Sequence, residues 1–236
     1  MVKVVDQPHS KGQPHEHKLN RVMIYLTPGH QEITPQGGKT AVLEFKAGDV
    51  KWSPASGIHV SEITSDQPVS IVEVELKKPG GTAPKVNASL DPVRVDPNDY
   101  RVEFENSQVR VVRVKVAAHQ KVPLHEHILN RLVICLTDQN GTMTTPDGKT
   151  ETAQHKAGEV SWGGPTKHRE ENLRDGPFEA IVVELKDLGI DRTPIVTGLF
   201  AISLVAHPKL LALHGAHGGV AELAPTGCLH PAAAFP

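Results

Sequence analysis

Two short histidine pairs are the residues of this sequence best suited to chemistry. The segment His15-Glu16-His17 recurs as His125-Glu126-His127. Residues separated by one position on a β-strand point to the same face of the strand. Each pair would therefore present two imidazoles side by side, with the intervening glutamate facing the other way. A third histidine follows each pair after about forty residues, His59 in the first case and His168 in the second.

Three convergent imidazoles can form one face of a metal coordination sphere and leave positions open for water, substrate or dioxygen. A single histidine on a strand is more often a packed or exposed residue, but a trio that occurs twice favours metal ligation. The sequence therefore predicts two metal sites. Their ligands would be His15, His17 and His59 in one site and His125, His127 and His168 in the other.

The two trios belong to an internal repeat that spans most of the chain. Four pairs of segments match in order: Pro14–Thr27 with Leu124–Thr137, Gly38–Thr40 with Gly148–Thr150, Lys46–Trp52 with Lys156–Trp162, and Ile71–Lys77 with Ala180–Lys186. Short runs alternate apolar and polar residues, as half-buried strands do, and turn residues separate them. Neither copy shows a long helical period. The pattern predicts an all-β fold of two small jelly-roll barrels.

The repeat sets the expected domain boundaries. The first barrel takes residues 1–78 and the second takes residues 94–188, and a linker with Pro and Gly, residues 79–93, separates them. Residues 189–236 have no counterpart in the first copy and are rich in Ala, Leu, Gly, Pro and His. This composition predicts a tail that is partly helical or disordered and has no assigned chemistry.

The two copies differ at their start, because Val2 aligns with Val112. The first copy therefore has nothing equivalent to Tyr100 to Val111 and is short of one strand. An open barrel edge invites unwanted pairing. We expect the gap to be covered by Val86 to Val95, by part of the other copy or by a second chain.

These residues give the sequence a resemblance to the cupin superfamily. The first motif of that family is Gly, five residues, His-x-His, three or four residues, then Glu; the second is Gly, five residues, Pro-x-Gly, two residues, His, three residues, Asn. The matching residues are His125, His127, Gly158, Pro165, His168 and Asn172 in the second copy, and His15, His17, Gly48, Pro54 and His59 in the first. The resemblance implies two double-stranded β-helix barrels, a bicupin, with iron, manganese, nickel, zinc or copper at the histidines. The nearest resemblance is to small bacterial cupins, including one associated with β-alanine degradation.

The sequence departs from the cupin motifs at several positions. The motif glutamate is absent, since Asn20-Arg21 and Asn130-Arg131 occupy its place, and the first copy has Ile63 instead of the motif asparagine. Without a carboxylate ligand the ion is more electrophilic, which favours Fe(II), Ni(II), Cu(II) or Zn(II) over Mn(II). His9 and His119 replace the leading glycine of the first motif and are expected on a turn, away from the metal.

Arg21 and Arg131 follow the ligand pairs at the same spacing in both copies. A guanidinium in the barrel mouth could bind the carboxylate of a substrate through two hydrogen bonds. The alternative is a surface arginine at the start of a strand. The sequence shows no general acid or base beside either trio.

Two further pairs of residues occupy matching positions. Tyr25 and Cys135 lie on the strand after the ligand pair and would approach the metal only if they face inward. Trp52 and Trp162 are the only tryptophans, and we expect them to pack in the barrel cores.

The function that these features favour is that of a metal-dependent oxidoreductase, dioxygenase-like, acting on a small carboxylate or thiol. The metal would position substrate and oxygen, and an arginine would orient the substrate. A non-catalytic barrel that binds or senses a small molecule is the alternative, because fold does not fix function. In a third possibility only the second site is active. No P-loop, dinucleotide fingerprint or Ser-His-Asp order supports another enzyme class.

Composition narrows the partners and the compartment. Lys plus Arg number 25 and Asp plus Glu number 27, giving a formal net charge of -2 that attracts neither nucleic acid nor anionic lipid. The two cysteines, Cys135 and Cys228, do not resemble a disulfide framework, and Met1 to Ser10 do not resemble a secretory signal. We expect a cytoplasmic protein that binds a small-molecule substrate, with no nucleic-acid or membrane partner; a homo-oligomer is compatible with the sequence.

Overall fold

The computed structural model describes residues 1–78, 80 and 89–186. The predicted tail, residues 189–236, and residues 79 and 81–88 of the predicted linker lie outside this part of the chain. Within it the chain consists almost wholly of antiparallel strands and one short helix. The predicted all-β class is confirmed. No helix in the described part of the chain is long and apolar enough to cross a membrane.

The first copy forms two facing four-stranded sheets. Its strands are β1 (Val2–Asp6), β2 (His15–His17), β3 (Arg21–Tyr25), β4 (Gly29–Pro35), β5 (Ala41–Phe45), β6 (Val50–Ser53), β7 (Ser56–Ile63) and β8 (Val69–Glu75). One sheet has the strand order β1-β8-β3-β6 and the other has the order β2-β7-β4-β5. The first and third histidines of the trio face each other across β2 and β7, because His15 pairs with His59.

The second copy repeats this arrangement and adds a helix and a strand before it. Its elements are α1 (Pro92–Val95), β9 (Tyr100–Glu105), β10 (Val109–Val116), β11 (Lys121–His127), β12 (Arg131–Cys135), β13 (Gln139–Thr144), β14 (Thr150–His155), β15 (Val160–Gly163), β16 (Thr166–Asn172) and β17 (Phe178–Leu185). The sheets have the orders β15-β12-β17-β10-β9 and β11-β16-β13-β14. His125 pairs with His168 across β11 and β16, as the corresponding histidines do in the first barrel.

Strand alternation fills each barrel interior with apolar side chains. The first interior contains Met23, Tyr25, Phe45, Ile63, Val69 and Ile71. The second contains Tyr100, Val112, Val114, Val116, Val122, Cys135, Phe178, Ala180 and Val182. Val112, Val114 and Val116, which alternate along β10, share the face that points into this second interior. Both trios lie on the sheet opposite β3 or β12, so an apolar core supports each of them.

A third apolar core joins the two barrels, and it is built from the opposite faces of the same strands. It contains Val22, Ile24, Val72, Val74 and Leu76 from the first barrel and Val109, Val111, Ile134, Ile181 and Val183 from the second. Burial of this much aliphatic surface stabilises the pair of barrels as one unit. Strands β3, β8, β10, β12 and β17 therefore bury apolar side chains on both of their faces.

Equivalent basic residues cross the interface between the barrels in both directions. Arg113 Nη2 donates to the Gly48 carbonyl at 2.6 Å, and Lys3 Nζ, from the aligned position of the first copy, donates to the Gly158 carbonyl at 3.4 Å. Both glycines have a positive φ, 84° and 79°, which side chains of L-residues rarely adopt. The repeat is thus reproduced in the contacts that hold the barrels together, although the contact from Arg113 is the shorter one.

The extra strand β9 makes the barrels unequal. It pairs with β10 at the edge of the second barrel, whereas β1, the counterpart of β10, pairs only with β8 in the described part of the chain. The two tryptophans reflect this difference. Trp52 packs on Phe104 of β9 with ring centroids 6.3 Å apart, while Trp162 is 37% exposed. The prediction that both tryptophans lie in barrel cores is therefore wrong: one lies between the barrels, and the other is largely at the surface.

The segment expected to cover the open edge of the first barrel lies against the second barrel instead. Residues 86–88 are outside the described part of the chain, but Leu90 accepts a hydrogen bond from the Glu126 amide of β11 at 2.8 Å. Asp91 caps α1 by accepting from the Val93 amide at 3.0 Å. The reason is electrostatic, because both Asp91 oxygens also accept from the buried guanidinium of Arg110 in β10, at 2.6 and 2.7 Å.

Candidate metal centres

The second centre is a compact trio at one end of the second barrel. Its ring centroids are 5.2 Å apart for His125 and His127, 4.5 Å for His125 and His168, and 5.6 Å for His127 and His168. One ligand nitrogen from each ring lies within 4.8 Å of the others. The side chains are 0, 4 and 1% exposed in the same order of residues, so the barrel wall excludes bulk water from the trio.

Hydrogen bonds orient two of these rings for ligation through Nε2. His125 Nδ1 is 2.9 Å from the Pro123 carbonyl, and His127 Nδ1 is 3.0 Å from Glu184 Oε1. An acceptor at Nδ1 places the proton there and leaves the Nε2 lone pair for an ion. His125 Nε2 is buried and has no hydrogen-bond partner among the residues that the structure describes. Such a nitrogen fits a metal, because a bound ion would supply the missing contact.

Burial also disfavours the charged form of two rings of the second trio. It lowers the pKa of His125 to about 4, and it lowers the pKa of His127 even though Glu184 opposes the shift. Neutral imidazole is the form that binds metals. His125 and His127 therefore have the protonation state that metal binding requires at neutral pH.

A carboxylate also borders the second trio. Glu170 Oε1 lies 2.7 Å from His168 Nε2 and 4.0 Å from His125 Nε2. Tyr100 of β9 donates to Glu170 Oε2 at 3.1 Å, and burial, followed by the nearby carboxylate, raises the pKa of this phenol well above its usual value. Burial opposes ionisation of Glu170, but the contact with His168 and the other histidines outweighs it and holds the carboxyl pKa below its usual range.

A series of charged residues supports His127 through its Nδ1 atom. Glu184 accepts from His127 through Oε1, and its Oε2 is 3.2 Å from Arg110 Nε. Arg110 is in turn held by Asp91 at the start of α1. A carboxylate behind a ligating histidine fixes the ring and raises its basicity. The segment before the second barrel thus contributes to the order of the centre.

Arg131 lies beside the second trio, at the position of the missing motif glutamate. The residue is 6% exposed, and its Nη1 donates to the Gly164 carbonyl. Within the described part of the chain it forms no ion pair. Burial lowers the pKa of Arg131, although Glu170 and Glu184 oppose the shift from a distance. A buried guanidinium without a direct counter-ion is a natural binding point for an anion.

The first centre has the same trio in a more open setting. Its ring centroids are 4.9 Å apart for His15 and His17, 4.5 Å for His15 and His59, and 5.2 Å for His17 and His59. His15 Nδ1 and His59 Nδ1 contact the carbonyls of Gln13 and Gly57 at 2.8 and 2.9 Å. His15 is exposed, His17 is half-buried and His59 is buried. Two of the three rings are therefore oriented for ligation, as in the second centre.

The third ring of the first centre is engaged by an arginine. Arg21 Nη1 lies 2.9 Å from His17 Nε2, and it also donates to Glu73 Oε2 at 2.8 Å. Its Nη2 donates to Ser53 Oγ at 2.9 Å. Burial, followed by the charge of Arg21, lowers the pKa of His17 to about 4, so Nε2 is the acceptor of this hydrogen bond. The lone pair that an ion would need at Nε2 is shared with a guanidinium.

The structure therefore brings all six predicted histidines together in two trios and places Arg21 and Arg131 beside them, both buried rather than on the surface. The glutamates between the paired histidines point away: Glu126 is 3.5 Å from Lys167, and Glu16 is 3.1 Å from Lys18.

The other matching residues stay away from the chemistry. Tyr25 and Cys135 face inward, but both belong to apolar cores, and burial raises their pKa values to about 12 and about 11. His9 and His119 lie on turns with a positive φ, 52° and 56°, and each contacts an exposed aspartate at 3.0 Å.

The sequence reasoning missed five residues around the second trio: Asp91, Tyr100, Arg110, Glu170 and Glu184. The statement that no acid or base borders either trio is wrong for the second centre. One signal was available, since a residue two positions after a ligand on a strand shares its face.

No protein-family model and no curated protein sequence matches this chain. Solved structures do match. AerE from Microcystis aeruginosa has 12% sequence identity and a TM-score of 0.52, with 78% of this chain and 85% of that chain covered. A variant of oxalate decarboxylase from Bacillus subtilis has 14% identity and a TM-score of 0.52, with 78% and 68% covered. The formate complex of oxalate decarboxylase from Lactobacillus farciminis has 13% identity and a TM-score of 0.52, with 78% and 75% covered.

These likenesses and the topology define the class: the chain has the two-barrel cupin fold, the bicupin arrangement. The two histidine trios make it a metal-binding bicupin that is suited to a divalent transition metal. At these identities the likeness extends to the fold alone, and it does not support the finer resemblance to the cupin of β-alanine degradation.

Proposed function

We propose that the chain is a metal-dependent, dioxygenase-like oxidoreductase that acts on a small carboxylate at the second centre. The observation that carries the proposal is the position of Arg131, buried beside a buried histidine trio and without an ion pair in the described part of the chain. A substrate carboxylate would accept two hydrogen bonds from this guanidinium.

Burial makes the anion preference strong. A charge removed from water is costly unless an opposite charge accompanies it, and among the described residues Arg131 donates a hydrogen bond only to the Gly164 carbonyl. A carboxylate substrate would neutralise the guanidinium and be oriented next to the trio. A thiol without a carboxylate would leave the charge unpaired, so Arg131 favours the carboxylate of the two substrate classes.

A divalent transition metal bound at His125, His127 and His168 would supply Lewis acidity and, if it is redox-active, reactivity towards dioxygen. The chain contributes three imidazoles, a dry barrel interior and a guanidinium for the substrate. The Bacillus subtilis oxalate decarboxylase carries Mn(II) centres, so Mn belongs among the metals to be tested in spite of its low rank from the sequence.

The proposal assigns no catalysis to the first centre, because Arg21 bonds to His17 and is itself neutralised by Glu73. Within the described part of the chain, its guanidinium is paired with Glu73 and also engages His17 Nε2. Catalysis confined to the second centre follows from this difference. We also propose a cytoplasmic location, which the low cysteine content favours.

Metal analysis with oxygen uptake tests the proposal. The full chain, the variant with His125→Ala plus His127→Ala and the variant with His15→Ala plus His17→Ala would be reconstituted with each divalent metal. They would then be assayed with a panel of small carboxylates and thiols that includes oxalate and formate, the compounds named for the structural neighbours. We expect uptake to disappear only in the variant of the second trio, and Arg131→Met to raise KM for carboxylates.

Two results would contradict the proposal. A wild-type protein that takes up no transition metal would rule out the enzyme. Binding of a carboxylate without turnover in any metal form would favour the competing function, a non-catalytic small-molecule-binding module.

A further inference from the structure

The second trio has a carboxylate within ligand distance, at a position that the cupin motif does not use. We propose that Glu170 is the fourth protein ligand of the ion held by His125, His127 and His168. The inference deepens the proposed function and rests on it only for the presence of a metal. It makes the second centre a site of three histidines and one carboxylate, and it leaves the first centre with three histidines alone.

Glu170 Oε1 lies at a ligand-to-ligand distance from two of the three histidines. Bonds of about 2.1 Å to N and O place neighbouring ligand atoms about 3 Å apart and opposite ones about 4 Å apart. Glu170 Oε1 is 2.7 Å from His168 Nε2 and 4.0 Å from His125 Nε2. An ion among these atoms would also satisfy His125 Nε2, which is buried without a partner.

Backbone geometry and a second hydrogen bond aim the carboxylate at the trio. Glu170 follows His168 by two positions on β16, so both side chains point to the same face of the sheet. Tyr100 OH donates to Oε2 and leaves Oε1 directed at the histidines. Ligating carboxylates are commonly held by such a hydrogen bond.

The surrounding charges favour a cation at the second centre. Three carboxylates, from Glu170, Glu184 and Asp91, outnumber two guanidiniums, from Arg110 and Arg131. The motif glutamate has been exchanged for Arg131, and Glu170 returns the lost negative charge from another strand.

The first centre has no such compensation. Ser61 occupies the position equivalent to Glu170 and accepts a hydrogen bond from Gln31 at 2.7 Å, and the carboxylate of Glu73 is paired with Arg21. Carboxylate oxygen is a harder ligand than imidazole and favours Mn(II) and Fe(II). We therefore expect the two centres to differ in metal preference, with Mn(II) bound preferentially at the second.

The test measures metal affinity in the full chain with the first trio removed by His15→Ala plus His17→Ala. Glu170→Gln should weaken Mn(II) binding by at least ~30-fold, since even loss of a hydrogen bond behind a ligand costs about 10–100-fold. Zn(II), which accepts nitrogen ligands alone, should lose less. The matched control is Glu171→Gln, because Glu171 lies next in sequence but contacts Lys121 on the opposite face, at 3.6 Å. It should stay within about twofold of its parent, as expected for a surface charge.

A second measurement does not depend on the folding of any variant. In a crystal structure of the Mn(II)-loaded wild-type chain, the anomalous peak should lie about 2.1–2.2 Å from Glu170 Oε1. A Mn(II) ion bound by the three histidines, with Glu170 more than about 3 Å away, would overturn the assignment and leave the proposed function intact. Unchanged Mn(II) affinity in Glu170→Gln would do the same. A confirmed Glu170 bond in a protein without turnover would contradict only the proposed function, and a wild-type chain that binds no metal would overturn both.

Discussion

The two barrels carry the same three histidines, and the residues around each trio differ. In the first barrel a guanidinium reaches the trio, since Arg21 bonds to His17 and to Glu73. In the second barrel carboxylates reach it, since Glu184 bonds to His127 and Glu170 contacts His168. The first trio is partly open to solvent, whereas the second is almost fully buried.

This difference shows that a duplicated ligand pattern does not imply a duplicated site. The strand spacing that places three imidazoles together is kept in both copies, because the same strand pairing positions them. Metal affinity also depends on what stands behind and beside the ligands. The guanidinium of Arg21 on His17 lowers the metal affinity of the first centre. The carboxylate of Glu184 on His127 raises that of the second.

The two barrels also differ in packing. Substitution of the two tryptophans tests this difference. Trp52 packs on Phe104 between the barrels, and Trp162, its counterpart, is 37% exposed. Replacement of a large buried aromatic residue by Ala removes about 3–5 kcal/mol. We expect Trp52→Ala to lower the free energy of unfolding by about 3 kcal/mol and Trp162→Ala by less than about 1 kcal/mol.

Urea denaturation of both variants and of the parent measures this difference. A reduced loss in the double variant Trp52→Ala plus Phe104→Ala, compared with the sum of its single losses, would show that the contact itself is responsible. Equal losses for the two tryptophans would contradict the packing seen here.

Glu184 and Glu75 form the next matched pair. Glu184 is buried between His127 and Arg110, and Glu75, its counterpart in the first copy, is exposed. We expect Glu184→Gln to weaken metal binding at the second centre by about 10–100-fold, because the ligating ring loses its charged partner. Glu75→Gln should leave the first centre unchanged. Calorimetric titration, with the other trio disabled in each case, measures both, and an equal response of the two centres would refute the distinction.

Sequence reasoning went furthest where residues obey a strand period. The alternation of His125 and His127, its repetition and the third histidine predicted both trios and the two-barrel fold. The same period also places Glu170 on the face of His168, because it follows that ligand by two positions. Regular spacing carries this information because strand geometry is local.

The rest of the second centre depends on contacts that no local pattern encodes. Tyr100 and Asp91 come from the segment before the repeat. Tyr100 reaches Glu170 because β9 pairs with β10, and Asp91 holds Arg110, which contacts Glu184 behind His127. Arg21 and Arg131 have the same residue type and spacing, yet one bonds to a histidine and the other to the carbonyl of Gly164. Tertiary contacts rather than sequence position decide between these partners.

Arg21 also offers the most direct way to make the first centre resemble the second. Its hydrogen bond to His17 Nε2 competes with an ion, and hydrogen bonds to charged groups contribute about 1.5–3 kcal/mol. In a chain with His125→Ala plus His127→Ala, we expect Arg21→Met to raise the metal affinity of the first centre by about 10-fold, which corresponds to the lower end of that range. Arg21→Lys keeps the positive charge but loses the planar fork, so it should give a smaller increase. If Arg21→Met leaves the affinity unchanged or weakens it, Arg21 supports the trio instead of competing with the metal.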